Sequence, residues 1–255
     1  MNILCIGDVF GRPGRKVLQN KLPDIQKKYA VDMTIANIEN IAHGKGIRIK
    51  DVELLESLNI HVFTGGNHSF SNKEIFKIFE KNNNVIRPAN YPPNTPGSGF
   101  CIHNNILIIN LIGRVFMQEG SDSPFQIVDK ILEEQGKNKD GIIVDFHAET
   151  SSEKHAMFHY LKGKVSAIFG THTHVQTADE RISEEGTAYI SDLGMTGPLD
   201  SIIGMKTETV LKKFTTALPS KFEPAETAAV LCGALIKIEN KKAVSIERIR
   251  VYEEE

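Results

Sequence analysis

The stretch NILCIGD, residues 2–8, decides the fold class, because a short apolar strand runs out at a glycine and a carboxylate follows at once. An amphipathic stretch comes next, with Val17, Leu18, Leu22 and Ile25 on one helical face. The apolar run MTIANI, residues 33–38, then repeats the strand pattern. Short apolar strands that alternate with amphipathic helices predict an α/β layered fold.

Several element boundaries follow from turn and capping residues. We predict that the second strand, residues 33–39, ends at Glu39, and that the first helix starts near Pro13, a residue favoured in the first turn. Residues 100–112 are typical of a hairpin that turns at Asn104 and Asn105. Residues 228–238 and 244–251 predict an antiparallel pair. The acidic residues 253–255 predict a solvated tail.

Composition bounds the class of protein. The 255 residues are 40% hydrophobic and 24% charged, which predicts one globular domain over residues 1–255. The net charge of −2 disfavours a partner that is polymeric nucleic acid, which needs a basic face. Because we find no signal-peptide pattern and no apolar run of membrane length, we expect a cytoplasmic protein without a membrane partner. The three cysteines fit buried reduced thiols. The sequence leaves open whether the chain forms a homo-oligomer.

Polar groups collect wherever an apolar strand runs out. They are Asp8 after residues 2–7, Glu39 and Asn40 after 33–38, Asn67 and His68 after 62–66, His147 after 142–146, and His172 and His174 after 166–170. In parallel α/β sheets, ligands gather at the carboxyl ends of strands, so we expect these groups to form one site. Imidazole mixed with carboxylate and amide oxygen suits Mn, Fe, Zn or Co better than Ca. The set therefore predicts a metal centre.

These motifs resemble a known family. Asp8, Glu39, the run Gly66-Asn67-His68, His147 and the run Gly170-Thr171-His172-Thr173-His174 resemble the calcineurin-like metallophosphoesterases. Within them, GDVFG at residues 7–11, IENIAHGKG at 38–46 and THTHVQT at 171–177 are similar to the bacterial YmdB-type phosphodiesterases. The resemblance covers residues 2 to about 252.

The resemblance implies a fold, a metal pair and an activity. The fold would be a four-layer αββα sandwich of two β-sheets flanked by helices. The cofactors would be two divalent metal ions, Fe or Mn, with Zn as the alternative. Metal A would be held by Asp8, Glu39, Asn40 and His174, and metal B by Glu39, Asn67, His147 and His172. A metal-bound hydroxide would attack a small phosphodiester substrate, namely a 2′,3′- or 3′,5′-cyclic nucleotide, with His68 as the general acid.

The sequence departs from the broader superfamily pattern at metal A. Phe10 stands where the usual Asp-x-His motif has its histidine, and Glu39 replaces the usual bridging aspartate. Asn40 would compensate for the lost imidazole. Adjacent residues of a strand point to opposite faces, so Asn40 reaches the metal only if the strand has ended at Glu39.

Three kinds of alternative compete with this interpretation. A broad phosphomonoesterase or a nuclease would use the same metals, although the charge balance disfavours a nuclease. A regulatory protein with a residual metal site is the second alternative, suggested by Phe10. A barrel amidohydrolase also uses His-x-His, but on its first strand, whereas here the motif begins at His172.

Overall fold

The computed structural model describes residues 1–117 and 120–253. Its strands are β1 (Asn2–Ile6), β2 (Asp8–Val9), β3 (Met33–Asn37), β4 (Val62–Thr64), β5 (Phe100–His103), β6 (Ile106–Ile112), β7 (Gly141–His147), β8 (Ala167–Thr171), β9 (Arg181–Ile182), β10 (Ala188–Ile190), β11 (Met195–Pro198), β12 (Ala229–Glu239) and β13 (Lys242–Tyr252). Its helices are α1 (Gly11–Lys28), α2 (Ile49–Ser57), α3 (Glu74–Lys81), α4 (Pro124–Gln135), α5 (Ser151–Leu161) and α6 (Thr207–Thr216).

The strands form two sheets in the described part of the chain. The first has the order β2-β11-β12-β1-β3-β4, with β13 paired to β12. The second has the order β5-β6-β7-β8-β10-β9. Each sheet contains a run of parallel neighbours: β1, β3 and β4 at one side of the first sheet, and β6, β7, β8 and β10 in the second. Parallel strands place their carboxyl ends along one edge of each sheet.

Three apolar cores separate four layers. In β1, Leu4 and Ile6 pack toward α1 and α2, whereas Ile3 and Cys5 pack toward the second sheet. This alternation follows from the two-residue period of a strand. A third core lies between the second sheet and the helices α4 and α5. The predicted αββα sandwich is therefore confirmed.

The structure corrects the predicted boundary of β3. The strand ends at Asn37 and not at Glu39. The Asn37 side-chain oxygen accepts a hydrogen bond from Glu39 N at 3.3 Å, and Ile41 N donates to Ile38 O at 3.1 Å, so the chain turns as soon as the strand ends. An asparagine that bonds to backbone two residues ahead is a recurrent way to start a turn. Asn40 is thereby freed from the alternation that a strand imposes.

Other boundaries agree closely with the prediction. Helix α1 starts at Gly11, two residues before Pro13. The hairpin of β5 and β6 turns at Asn104 and Asn105, whose φ values of 46° and 60° suit a tight two-residue turn. The C-terminal pair forms as predicted: β12 is shifted by one residue, and β13 is longer than expected.

The predicted solvated tail is wrong at its first residue. Glu253 forms an ion pair with Lys16 at 2.9 Å and accepts a hydrogen bond from Asn20 at 2.9 Å. Glu254 and Glu255 lie outside the described residues. Among the described helices, none combines the length and apolar character needed to span a bilayer. The three cysteines are buried and unpaired.

Candidate metal centre

The edge where both sheets end carries the candidate donors. Asp8 starts β2, Glu39 and Asn40 follow β3, Asn67 and His68 follow β4, His147 ends β7, and His172 and His174 follow β8. The structure thus brings all eight predicted side chains to one region, from both sheets. Asp8, Glu39, Asn40 and His147 are at most 3% exposed.

One group of donors is closely packed. Glu39, His147 and His172 each offer a ligand atom within 4.8 Å of the others. His147 Nε2 lies 3.1 Å from Glu39 Oε1, 3.0 Å from His172 Nδ1 and 3.0 Å from Asn67 Oδ1. A Cβ at Gly66 would collide with His147 Nε2 and Glu39 Oε2, so the glycine keeps this space open. The converging nitrogen and oxygen atoms fit a borderline divalent cation.

A second group contains two buried oxygen atoms to which no described residue donates a hydrogen bond. Asp8 Oδ1 and Asn40 Oδ1 are buried and have no hydrogen-bond partner within the described residues. His174 Nε2 lies 3.9 Å from Asp8 Oδ1, beyond hydrogen-bonding distance. Leaving a buried acceptor unpaired costs roughly 1–3 kcal/mol, and a cation would remove that cost at both atoms. The donor set therefore fits a second cation beside the first.

The Asn40 amide is oriented by its own loop. Asn40 Nδ2 donates to Gly44 O at 3.0 Å, which assigns the amide so that Oδ1 faces away from the loop. Gly44 has a φ of 92° and its amide donates to Asn40 O at 3.0 Å, so two hydrogen bonds join Asn40 and Gly44 across the loop. Because β3 has already ended at Asn37, the condition under which Asn40 could reach a metal ion is met.

Phe10 occupies the position of the missing histidine. Its ring is 1% exposed and lies edge-on to the His174 ring, with centroids 5.7 Å apart. A Cβ at Gly44 would come within 2.8 Å of this ring, and one at Gly204 within 2.7 Å. Phe10 thus packs between the loop of Asn40 and the loop that contacts His174. Its ring gives the candidate metal-ligand group an apolar neighbour.

A buried relay orients His147. Its Nδ1 lies 2.9 Å from Thr171 Oγ1, and that hydroxyl donates to Asp145 Oδ1 at 2.7 Å. Because the Thr171 proton goes to Asp145, its oxygen accepts from His147 Nδ1, which leaves Nε2 free to face Glu39. Asp145 also accepts from Asn37 Nδ2 at 3.1 Å and from Thr64 Oγ1.

His172 and His174 are oriented from outside the donor groups. His172 Nε2 lies 3.1 Å from the Glu149 carboxylate, so its Nδ1 points toward His147. His174 Nδ1 donates to Ile203 O at 2.9 Å, which leaves Nε2 on the side of Asp8. Each of the three histidines therefore has one ring nitrogen held by a partner that is not itself a predicted metal ligand.

Charges in the donor group are strongly coupled. Burial alone would lower the pKa of His147, but the carboxylates of Glu39, Asp8 and Asp145 together outweigh it and raise that pKa to about 9. Burial opposes ionisation of Glu39, but His147 prevails and lowers the Glu39 pKa to about 2. Burial and the His147 charge lower the pKa of His172 to about 3. A cation at this position would have to displace the His147 proton.

Deep burial also perturbs the two aspartates. Burial raises the pKa of Asp145 to about 6, although His147 and the hydrogen bonds from Thr64 and Thr171 act in the opposite direction. Burial likewise raises the pKa of Asp8 above its ordinary value, against the effect of His174 and His147. Both carboxylates are placed where a nearby cation would favour their charged form.

His68 lies at the edge of this arrangement. Its backbone N donates to Glu39 Oε2 at 2.7 Å, which fixes the residue beside the central carboxylate. Its half-buried side chain lines a cavity of about 330 Å³, together with Asn40, His172 and His174. Within the described residues, the His68 ring makes no hydrogen bond, so it can turn toward a ligand in that cavity.

Some supporting residues were not singled out from the sequence. Asn37 and Thr64 lie on strands of the first sheet and reach Asp145 because the two sheets pack together, whereas Thr171 lies on β8, the strand beside β7. Lys154 donates to Asp192 Oδ2 at 2.7 Å, and Thr173 N donates to the same oxygen at 3.1 Å, which holds the loop of His172 and His174. For Asn37, Thr64 and Thr171, the one signal in the sequence was that a polar residue interrupts or ends an apolar strand.

Comparisons with known proteins agree over nearly the whole chain. The family described as "YmdB-like protein" matches residues 4–249. A Bacillus subtilis (strain 168) protein named 2′,3′-cyclic-nucleotide 2′-phosphodiesterase is 46% identical, over 100% of this chain and 98% of that protein. A Mycoplasma pneumoniae protein named putative phosphatase/phosphodiesterase is 34% identical, over 100% of this chain and 94% of that protein.

Solved structures show the same architecture. A hypothetical protein from Thermus thermophilus superposes with a TM-score of 0.94 at 40% identity, covering 100% of both chains. A novel phosphatase from Mycoplasma pneumoniae superposes with a TM-score of 0.93 at 35% identity, covering 99% of this chain and 93% of that one. The fold and the order of its elements are thus shared with these proteins.

Proposed function

The chain belongs to the YmdB-like protein family, and from this premise we propose that it hydrolyses 2′,3′-cyclic nucleotides at a dinuclear metal centre. Relatives named as phosphodiesterases place it among the phosphoric diester hydrolases. The observation that carries the proposal is a pair of buried oxygens, Asp8 Oδ1 and Asn40 Oδ1, that find no partner among the residues the structure describes. They accompany the packed group of Glu39, His147 and His172. We further propose that residues 1–255 act as one domain, since both sheets supply the site.

The donors divide into two sets. Glu39 would be shared: Asp8, Asn40 and His174 complete the set for metal A, and Asn67, His147 and His172 complete the set for metal B. Their mixture of nitrogen and oxygen atoms favours Mn or Fe, with Zn as the alternative. When bound, such a pair polarises the phosphoryl oxygens and lowers the pKa of bound water toward about 7.

The chain's own residues would handle orientation and the leaving-group proton. Hydrolysis forms a bond between a water oxygen and phosphorus, breaks the P–O2′ bond and leaves a 3′-phosphomonoester. His68 would donate a proton to the departing O2′, because its free ring borders the cavity next to Glu39. Thr171, Glu149 and the Ile203 carbonyl would hold the three histidines in one tautomer.

The size and charge of the site support a small substrate. A cavity of about 330 Å³ falls in the range of sites for small molecules. A net charge of −2 does not favour binding to a polyanion. A phosphodiester carries one negative charge and needs no further basic clamp.

Product analysis tests the proposal. Purified protein with Mn²⁺ should convert 2′,3′-cyclic GMP to 3′-GMP, and it should do so faster than it hydrolyses 3′,5′-cyclic GMP, an aryl diester or the matched monoester. His147→Ala is the matched inactive control, since it removes the donor at the centre of the packed group. A higher kcat/KM on monoesters than on any diester would place the protein among the phosphatases instead.

A further inference from the structure

A helical arm, defined as residues 206–223, stands beside the cavity. Its ends are tied together, because Lys206 N donates to Glu223 O at 2.8 Å and Ala225 N donates to Gly204 O at 2.9 Å. Within α6, which forms the first half of the arm, the only buried residue is Val210. The arm therefore contributes little to the cores of the sandwich, and its apolar residues need another explanation.

These residues form one side of the cavity that contains the donors. The apolar wall is defined as Ile203, Met205, Val210, Phe214 and Phe222, and it lines the same space of about 330 Å³ as His68, His172 and His174. Phe214 is 75% exposed and Phe222 is 37% exposed. Exposed aromatic groups at the mouth of a polar site are typical of a ligand-binding surface.

Resting on the proposed function, we propose that the apolar wall binds the heteroaromatic base of the nucleotide, with Phe214 as its principal stacking residue. The two ends of the cavity match the two ends of this substrate: a phosphate-binding centre on one side and aromatic rings on the other. Lys213 Nζ lies 5.0 Å from the centroid of the Phe222 ring and covers one of its faces. Phe214 offers the more exposed ring.

The chemistry of the wall sets a specific selectivity. Among the described residues that define it, none has a side chain that donates or accepts hydrogen bonds, apart from the weak sulfur acceptor of Met205. Such a surface distinguishes bases by their stacking area and not by their hydrogen-bonding edges. Adenine and guanine substrates should therefore have similar KM values, and both should have lower KM values than cytosine and uracil substrates.

Substitutions at the arm test this proposal without touching the donors. Phe214→Ala should raise the KM for 2′,3′-cyclic AMP by roughly 5- to 100-fold, the range expected from loss of one base–aromatic stack, while kcat stays within about twofold. Phe214→Trp should keep the low KM. Leu211→Ala is the matched control, because Leu211 is 48% exposed on the same helix but does not line the cavity.

A base-free substrate and a binding assay separate the outcomes. Methyl riboside 2′,3′-cyclic phosphate should give the same KM with wild type and with Phe214→Ala, and calorimetry with 3′-AMP should show weaker binding to the variant. An equal loss on both substrates, or no change on either, overturns the base-binding role. Loss of an oligomer in Phe214→Ala with unchanged KM also overturns it, since the wall would then join copies of the chain. If wild type binds 3′-AMP through Phe214 but cleaves no cyclic nucleotide, the proposed function fails and the base site stands.

Discussion

Replacing Asn40 by alanine tests whether this residue is a metal ligand or only stabilises its loop, because its two amide atoms have different surroundings. Asn40 Nδ2 is bonded to Gly44 O, whereas Oδ1 is buried without a partner among the described residues. In metal-free protein, Asn40→Ala loses a hydrogen bond worth about 1 kcal/mol but removes an unpaired acceptor that costs roughly 1–3 kcal/mol. The small cavity left behind offsets part of this gain. We therefore expect the metal-free Tm to change by no more than about 4 °C.

With metal present the expected effect is larger and has a definite sign. Loss of an outer-shell partner typically weakens metal binding roughly 10- to 100-fold, so loss of a true ligand should cost at least about 1.4–2.8 kcal/mol of metal-dependent stabilisation. The Tm gained on adding Mn²⁺ should therefore shrink by several degrees in Asn40→Ala. Elemental analysis after gel filtration should find metal B retained and metal A depleted.

Asn40→Asp is the matched variant. It keeps an oxygen donor but loses the amide that bonds to Gly44 O, so a ligand role predicts normal metal content and a loop role predicts the same defect as alanine. Two tightly bound metals in both wild type and Asn40→Ala would refute the assignment of Asn40 to metal A.

Three further predictions address the acid, the histidine support and a group remote from the site. His68→Ala should lower kcat by roughly 10²–10⁴-fold on cyclic nucleotides, and less on aryl diesters, with metal content unchanged; equal losses on both substrates would assign His68 to phosphate binding. Glu149→Ala should weaken metal B binding by about tenfold, since Glu149 holds His172 from a partly exposed position, and unaltered affinity would remove it from the support. Burial and, to a smaller extent, the neighbouring His103 lower the pKa of His61 below 6.5 in the folded protein. The unfolded chain therefore binds this proton more readily than the folded protein does, and stability falls as the pH drops below about 6.5. His61→Asn should flatten the decrease in Tm between about pH 7 and 5, and an unchanged slope would contradict this linkage.

The candidate site was predictable because strand ends are readable from sequence. The donors lie within a few residues of the end of an apolar run, and parallel strands bring such positions to one edge. The end of β3 was not readable in the same way: Ile38 continues the apolar run, but the chain turns after Asn37, where Glu39 N donates to Asn37 Oδ1. A hydrogen bond from backbone to a nearby side chain, such as that of Asn37, does not alter the hydrophobic pattern, so the pattern alone does not predict this strand end.

The support around the site depends on distances that the sequence does not contain. Asn37 and Asp145 are 108 residues apart and meet at 3.1 Å only after the two sheets pack. The arm of residues 206–223 escaped prediction for the opposite reason. Val210 is the only buried residue of α6, so this helix adds little to the cores by which the other elements are recognised.

The most direct test of the central claim is a Mn²⁺ titration of exhaustively chelated protein, with bound metal and hydrolysis of 2′,3′-cyclic AMP measured in the same samples. We predict no turnover without metal, and turnover that rises with metal content until two equivalents are bound per chain. His147→Ala should bind fewer equivalents and remain inactive. Full turnover after exhaustive chelation, or full turnover with a single equivalent bound, would contradict a centre built from both sets of donors.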